Sequence, residues 1–266
     1  MIRLRSLVFN LAFYANLIVL MIIGLPVVLF GRHGVFALAR LWGTISLWLL
    51  ETICGLRVEF RGLENIPKGG YILASKHQSF LETFSLLEQA PDFAIVLKKQ
   101  LVYIPVFGLY LVAARQIAID RSRGRNAMAQ IIAQAGAVLR GGRQTIIFPE
   151  GTRRPPGAPP RYKQGVTALY AATDAPCLPV ALNTGLFWGR RGFTRRPGVA
   201  VIEYLPPIPP GLPREVFADR LERTIEDACA RLNAEALGAN PSLAPILAAG
   251  AATIDEPRVV ARPREA

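Results

Sequence analysis

The sequence predicts an α/β domain behind an N-terminal membrane-associated helical segment. Three observations carry this expectation. Short apolar runs that read as buried strands alternate with stretches of helical periodicity. Two of the runs lead directly into turns holding a histidine or several charges, and in open α/β sheets the crevice beyond the strand ends is where reacting groups sit. The chain also begins with two apolar stretches longer than a soluble domain needs.

Leu7 to Phe30 is uncharged and mostly apolar, and at about 1.5 Å per residue it is long enough to cross a hydrocarbon core of roughly 30 Å. Pro26 is placed to kink it. Arg3 and Arg5 precede it and Arg32, His33 and Arg40 follow, so charge leaves its orientation open. A signal peptide is the rival reading, but the apolar core exceeds an h-region and no small-residue cleavage site follows. Val35 to Leu50, with Trp42 and Trp48, is shorter than a usual span. It reads as a second helix in the interface or returning to the same side, or else as an ordinary amphipathic helix after a single span.

Leu56 to Phe60 alternates as a half-buried strand does. Tyr71 to Ala74 is a buried strand that feeds Ser75-Lys76-His77-Gln78-Ser79-Phe80-Leu81-Glu82, and Thr83 to Gln89 continues as a short helix. Phe93 to Leu97 is a strand delivering Lys98 and Lys99 to its carboxyl end. Leu101 to Ala113 is apolar and packs on the membrane side, lines an apolar channel or forms a core helix. Ile117 to Ile119 is a short strand ending in Asp120-Arg121. Asn126 to Leu139 has helical periodicity and Gly141-Gly142 ends it. Thr145 to Phe148 is a strand followed by the charged turn Pro149-Glu150-Gly151-Thr152-Arg153-Arg154. Pro155 to Pro160 reads as a flexible or polyproline-II-like loop, Lys163 to Thr173 as a helix, and Cys177 to Leu182 and Val199 to Leu205 as strands. After the rigid Pro206 to Pro213 linker, Val216 to Ala236 is an amphipathic helix. The division that follows is 1–54 for the membrane-anchoring helices, 55–237 for the catalytic domain and 238–266 for a tail without structure, rich in alanine, proline and charge.

The 266 residues carry 31 Lys+Arg and 19 Asp+Glu, a net charge of +12, and are 52% hydrophobic. A basic surface beside apolar segments suits the anionic face of a bilayer. Nucleic acid is not expected as a partner, since no stacking-aromatic or zinc-finger pattern accompanies the charge. Cys54, Cys177 and Cys229 are scattered, which argues for a reducing compartment and against a disulfide framework. Without Cys-x-x-Cys or His-Glu-x-x-His spacing, no metal is expected.

His77 and Glu82 admit two readings. In one, Ser79 and Glu82 form a capping box and His77 is a turn residue. In the other, His77 is a general base and Glu82 fixes its tautomer and stabilises its cation. The two are compatible, because a carboxylate has two oxygens. Ser79 is not a nucleophile candidate, since no Gly-x-Ser-x-Gly elbow surrounds it.

Four blocks in order resemble the membrane-associated glycerolipid acyltransferases, and within them the bacterial 1-acylglycerol-3-phosphate acyltransferases. The blocks are His77 to Glu82, Ile117-Ala118-Ile119-Asp120-Arg121, Phe148-Pro149-Glu150-Gly151-Thr152-Arg153, and Leu178-Pro179-Val180-Ala181. Lys98-Lys99-Gln100-Leu101 before Ile104-Pro105 is also family-like. The departure is Glu82 in place of the commoner aspartate, which adds one methylene. The family includes bacterial members with a His-Gln-Ser-x-x-Glu-Thr version.

The resemblance implies a mixed, largely parallel central sheet flanked by helices, of the glycerol-3-phosphate acyltransferase kind. It implies acyl transfer from acyl-CoA or acyl-carrier protein to the sn-2 hydroxyl of lysophosphatidic acid, giving phosphatidic acid, with no cofactor. His77 would be the base and Glu82 its orienter. Arg153, then Arg121 and Lys98, would bind the acceptor phosphate, with Gly151 and Thr152 in the same substrate-binding turn. Glu150 would organise the arginines or bind a glycerol hydroxyl. Backbone N–H groups of the His77 turn or of Gly151 would stabilise the oxyanion. The implied location is the bacterial inner membrane with the catalytic domain facing the cytoplasm. The alternatives are another acceptor, such as a lyso-ornithine lipid, and a non-catalytic membrane-binding relative.

Overall fold

Two apolar helices open the chain in the computed structural model, which describes residues 1–90, 92–120 and 125–253. Helix α1 is Ile2–Ile23 and α2 is Gly31–Cys54, joined by a 3-10 turn over Leu25–Phe30. The apolar run expected to continue to Phe30 therefore breaks after Ile23. Pro26 has no N–H to donate and restricts Leu25 before it. Gly24 lies so close to α2 that a Cβ there would stand 2.3 Å from Leu38 Cδ2. The second helix in turn is longer than Val35 to Leu50. Both helices are long and apolar enough to cross a membrane. Their inner faces are nonetheless committed to protein: Phe9 and Phe13 are buried against Trp188, and Phe13 also meets Phe80 and Phe84. Ile18, Ile22, Leu29, Phe30 and Trp48 remain exposed.

The strands are β1 (Leu56–Arg61), β2 (Ile72–Ser75), β3 (Phe93–Lys98), β4 (Ile117–Ile119), β5 (Gln144–Ile147), β6 (Cys177–Leu182) and β7 (Gly198–Tyr204). Their order in the sheet is β1-β7-β6-β2-β5-β3-β4. Of these neighbouring pairs, β6 and β7 run antiparallel and the others parallel. The sheet is thus mixed and largely parallel, as expected. Strand β2 lies between β5 and β6, and its ladder with β5 pairs Ile72 with Thr145 and Ala74 with Ile147. The turns after β2 and β5 consequently emerge side by side at one carboxyl edge.

The remaining helices are α3 (Leu81–Ser85), α4 (Phe107–Ala113), α5 (Arg125–Arg140), α6 (Gln164–Ala171), α7 (Thr184–Phe187), α8 (Arg214–Ala239) and α9 (Ala244–Ala251). Period-two alternation sends neighbouring strand residues to opposite faces. Leu73, Ile146 and Leu178 join the layer with Phe13, Leu50 and Phe84, while Ile72, Ala74 and Ile147 join the layer with Leu139, Leu169 and Ile225. The sheet is therefore covered on both faces, as parallel strands require.

The chain past 238 departs from the expected unstructured tail. Helix α8 runs to Ala239, and after a 3-10 turn over Pro241–Leu243 α9 follows. Alanine, read there as low complexity, is the best helix former. Leu243 is fully buried, and a Cβ on Gly250 would stand 1.8 Å from the Pro156 carbonyl oxygen. This packing also covers part of the proline-rich loop expected to be flexible. The expectation for residues 254–266 lies outside the described residues.

Candidate active site

Past the last ladder pair, Ala74 with Ile147, the β2 and β5 turns stay in contact. The Arg154 amide donates to the His77 carbonyl oxygen at 2.8 Å. The His77 ring stacks on Phe148 with centroids 3.9 Å apart and an interplanar angle of 19°. The histidine turn and the Phe148–Arg153 turn are one site.

Glu82 has no exposed surface, yet every contact it makes suits a carboxylate. Its Oε1 accepts from His77 Nδ1 at 2.8 Å and from the Gln78 and Ser79 amides at 2.8 and 2.7 Å. Its Oε2 accepts from Thr184 Oγ1 at 2.7 Å. Such donors replace water around a buried charge. The carboxylate only accepts, so Nδ1 carries the imidazole proton and Nε2 keeps a lone pair. The capping reading is realised in part: Glu82 reaches back to the Ser79 N–H and Ser79 Oγ accepts from the Leu81 amide at 3.1 Å, while the helix itself starts after Phe80. One glutamate holds both the helix start and the ring. The extra methylene relative to aspartate is accommodated with a full set of bonds.

The ring faces a cleft of about 600 Å³, within the size range of small-molecule sites. Lys98, Gly151, Thr152 and Arg153 line it, as expected. Ile95, Leu97, Leu101, Ile119, Ile131 and Val166 give it an apolar floor. Arg153 is half-buried, with its guanidinium 5.3 Å from the Phe80 ring centroid. Burial pushes the Arg153 pKa down, against the attraction of Glu82, and Arg190 pushes it the same way. Arg153 Nε and Thr83 Oγ1 are buried in this site without a hydrogen-bond partner. Unpaired donors of this kind normally meet a ligand or water.

Two expectations for this region change. Glu150 is 2% exposed and lies outside the cleft lining. Its Oε1 faces away, 3.2 Å from Lys76 Nζ and 3.5 Å from Arg154 Nε, an arrangement that fits the organising of an arginine and not a contact with substrate; burial raises its pKa against the pull of Lys76. The backbone donors proposed for an oxyanion are also engaged: Gln78 and Ser79 donate to Glu82, and the Gly151 amide donates to the Phe148 carbonyl oxygen at 2.8 Å. Arg121 lies outside the described residues. Of the apolar stretch after Lys98, only Leu101 among the described residues reaches the cleft; Val102 to Val106, Gly108, Leu109, Val112 and Ala113 border a separate apolar groove with Val28.

Sequence reasoning missed Thr83, Lys163, Thr184 and Arg190. Lys163 and Arg190 line the cleft, and Arg190 Nη1 donates to the Arg153 carbonyl oxygen at 3.1 Å. Arg190 sits in a charged run with no local signal of the cleft. Thr184 did carry one: it follows β6, the parallel neighbour of β2, by two residues.

A family model described as Acyltransferase matches residues 57–183, from the first strand to the end of β6. The 1-acyl-sn-glycerol-3-phosphate acyltransferase alpha of Mus musculus is 30% identical over 206 residues, covering 75% of this chain and 71% of that protein. The chain belongs to this acyltransferase family. The membership expected from the four blocks is borne out. The 1-acyl-sn-glycerol-3-phosphate acyltransferase of Pseudomonas aeruginosa is 41% identical over 157 residues, 59% of this chain and 61% of that protein. The solved structure of the 1-acyl-sn-glycerophosphate (LPA) acyltransferase from Thermotoga maritima superposes with a TM-score of 0.74 at 25% identity, over 88% of this chain and 98% of that one. The acyltransferase match thus contains both motif turns and stops one residue before Thr184.

Proposed function

We propose that this chain transfers a fatty acyl group from a thioester, acyl-CoA or acyl-carrier protein, to the sn-2 hydroxyl of 1-acyl-sn-glycerol 3-phosphate, forming phosphatidic acid. The observation that carries the reading is the His77–Glu82 pair opening on a cleft whose other charged side chains, among the described residues, are all cations. His77 Nε2 takes the hydroxyl proton as that oxygen attacks the thioester carbonyl. Glu82, held by its four donors, stabilises the imidazolium that forms. Collapse of the tetrahedral intermediate breaks the C–S bond, and the imidazolium returns its proton to the departing thiolate. No enzyme nucleophile enters. The hydroxyl of Thr83 and the guanidinium of Arg153, both with unpaired donors, are the groups nearest to hand for the substrate's oxygens.

Charge favours a phosphate acceptor over a lyso-ornithine lipid. Lys98, Arg153, Lys163 and Arg190 line the cleft, and no acidic side chain does among the described residues. An ornithine ammonium would find no counter-charge there, whereas a phosphate finds several. A non-catalytic relative is disfavoured by the intact 2.8 Å bond between His77 and Glu82. The acceptor and product are lipids, so the exposed apolar faces of α1 and α2 fit an anchor that holds the cleft at the headgroup level. In a bacterial host that surface is the inner membrane, with the cleft on the cytoplasmic side where thioester donors are made. The test is a matrix of purified protein, both thioester donors and a panel of lyso-lipids. Turnover with lysophosphatidate well above that with lyso-ornithine lipid is expected. Equal rates, or transfer to the ornithine lipid alone, would overturn the assignment of the acceptor.

A further inference from the structure

His77 is preceded by a lysine whose side chain goes the other way. Strand alternation turns Lys76 from the cleft toward α8, where it is 3% exposed. Its ammonium lies 3.2 Å from Glu150 Oε1 and 2.7 Å from Glu226 Oε1. Tyr162 closes the group, with its hydroxyl donating to Glu226 Oε1 at 3.0 Å and its ring 5.8 Å from the ammonium. Arg154 Nε stands 3.5 Å from Glu150 Oε1. Two cations therefore meet two carboxylates. Burial opposes the Lys76 charge, but Glu150 and Glu226 together hold its pKa above the ordinary value.

Such a cluster is poor value as a stabiliser. Desolvation of buried ions offsets much of their attraction, and apolar replacements of similar volume are often neutral or better. Its placement is what stands out. It joins residue 76 of the β2 turn to residue 150 of the β5 turn just beyond the last ladder pair. Those two turns carry the base, His77, and the cleft arginine, Arg153. Four links span them here: the Arg154 amide to the His77 carbonyl, the His77–Phe148 stack, the Arg153 guanidinium over the Phe80 ring, and the Lys76–Glu150 ion pair. Only the last of these is made by side chains outside the cleft.

We propose that Lys76 is a positioning residue for the acyl transfer. Its bond to Glu150 sets the separation of His77 from Arg153, and Glu226 with Tyr162 pins the ammonium from α8. Glu150 is thereby given its role, a strut at the back of the site. The inference rests on the acyltransferase reading above. Misplacement of a reacting group by about 1 Å costs on the order of 100-fold in rate, so the strut is expected to act on kcat. The cations that line the cleft are untouched by its loss, so KM for the acceptor is expected to hold.

The experiment is a double-mutant cycle on the purified full chain in lipid vesicles, reading kcat, KM for lysophosphatidate and Tm. Lys76→Met and Glu150→Gln are each expected to lower kcat roughly 10- to 100-fold with KM within about threefold. The double variant is expected to be no worse than the poorer single one, because both cut the same link. Glu226→Gln, which leaves the Lys76–Glu150 bond in place, is expected to keep kcat within about threefold. Should Lys76→Met not fold, Lys76→Gln, which keeps a donor, serves in its place and is expected to lose less. Wild-type kcat in a folded Lys76 variant with lowered Tm, or losses that simply multiply in the double variant, would overturn the proposal. Failure of the wild-type protein to acylate lysophosphatidate would instead strike the underlying functional reading.

Discussion

On the cleft side of the paired turns, Lys98, Arg153, Lys163 and Arg190 gather without an acidic side chain among the described lining residues. On the α8 side, Lys76 and Arg154 stand against Glu150 and Glu226 at ion-pair distances. The two regions are built from the same two motif turns. One presents cations to whatever enters the cleft, and the other sets its cations against carboxylates of its own. A buried charge needs a counter-charge or a full set of donors, so the cleft is the side that awaits a ligand. The two buried glutamates show the same contrast. Glu82 is satisfied by N–H and O–H donors around a base, while Glu150 turns its Oε1 to ammonium and guanidinium groups and keeps its Oε2 buried without a hydrogen-bond partner.

The contrast breaks most sharply at His77. His77→Ala removes the base and leaves the rear cluster whole, so acyl transfer is expected to fall by about 10²- to 10⁴-fold, the usual worth of general-base catalysis. The fold should keep its Tm within a few degrees. A kcat near wild type, measured with lysophosphatidate and acyl-CoA, would show that proton abstraction lies elsewhere. A smaller effect is expected at Arg153. Arg153→Lys keeps one positive charge but loses the planar fork and the unpaired Nε. A rise of about 10-fold or more in KM for the acceptor is expected, with less change in KM for the donor. Unchanged acceptor KM would mean that other cations hold the headgroup.

Much of this was legible in the sequence, for a definite reason. Local order reports itself locally: the apolar runs that became β2, β3, β5 and β6 carry their own signal, and so do the turns they feed. His77 and Glu82 sit five positions apart, and one helix start brings them together. Apart from Thr83, which adjoins Glu82, the residues that were missed arrive by long-range packing. Glu226 lies 150 positions from Lys76 and Thr184 lies 102 from Glu82. For Glu150 the sequence left two roles open, organising the arginines or binding a glycerol hydroxyl, because it does not show that this turn divides its charges between cleft and core. The break at Gly24 shows the opposite failing, since a composition reading of Leu7 to Phe30 passed over the glycine and took Pro26 for a kink rather than an end. The alanine-rich residues after 238 were likewise judged by composition when their helix propensity was the better guide.

Two threonines give the finest test of the difference between a satisfied and a waiting group. Thr184 donates to Glu82 Oε2 in the folded protein, whereas Thr83 Oγ1 is buried at the cleft without a partner. Thr184→Val leaves a carboxylate oxygen buried and unpaired, a loss of about 1–3 kcal/mol in stability. It should also slacken the hold on the imidazole and lower kcat. Thr83→Val removes a hydroxyl that bonds nothing in the free protein, so Tm should stay level or rise while turnover falls by about 10-fold or less. The pair thus predicts a drop in Tm for Thr184→Val and none for Thr83→Val, with a loss of activity in both, read by thermal melts beside initial rates. A matching drop in Tm for Thr83→Val would mean that its hydroxyl is already bonded in the resting protein, and the cleft would then lose one of the two donors that mark it as waiting.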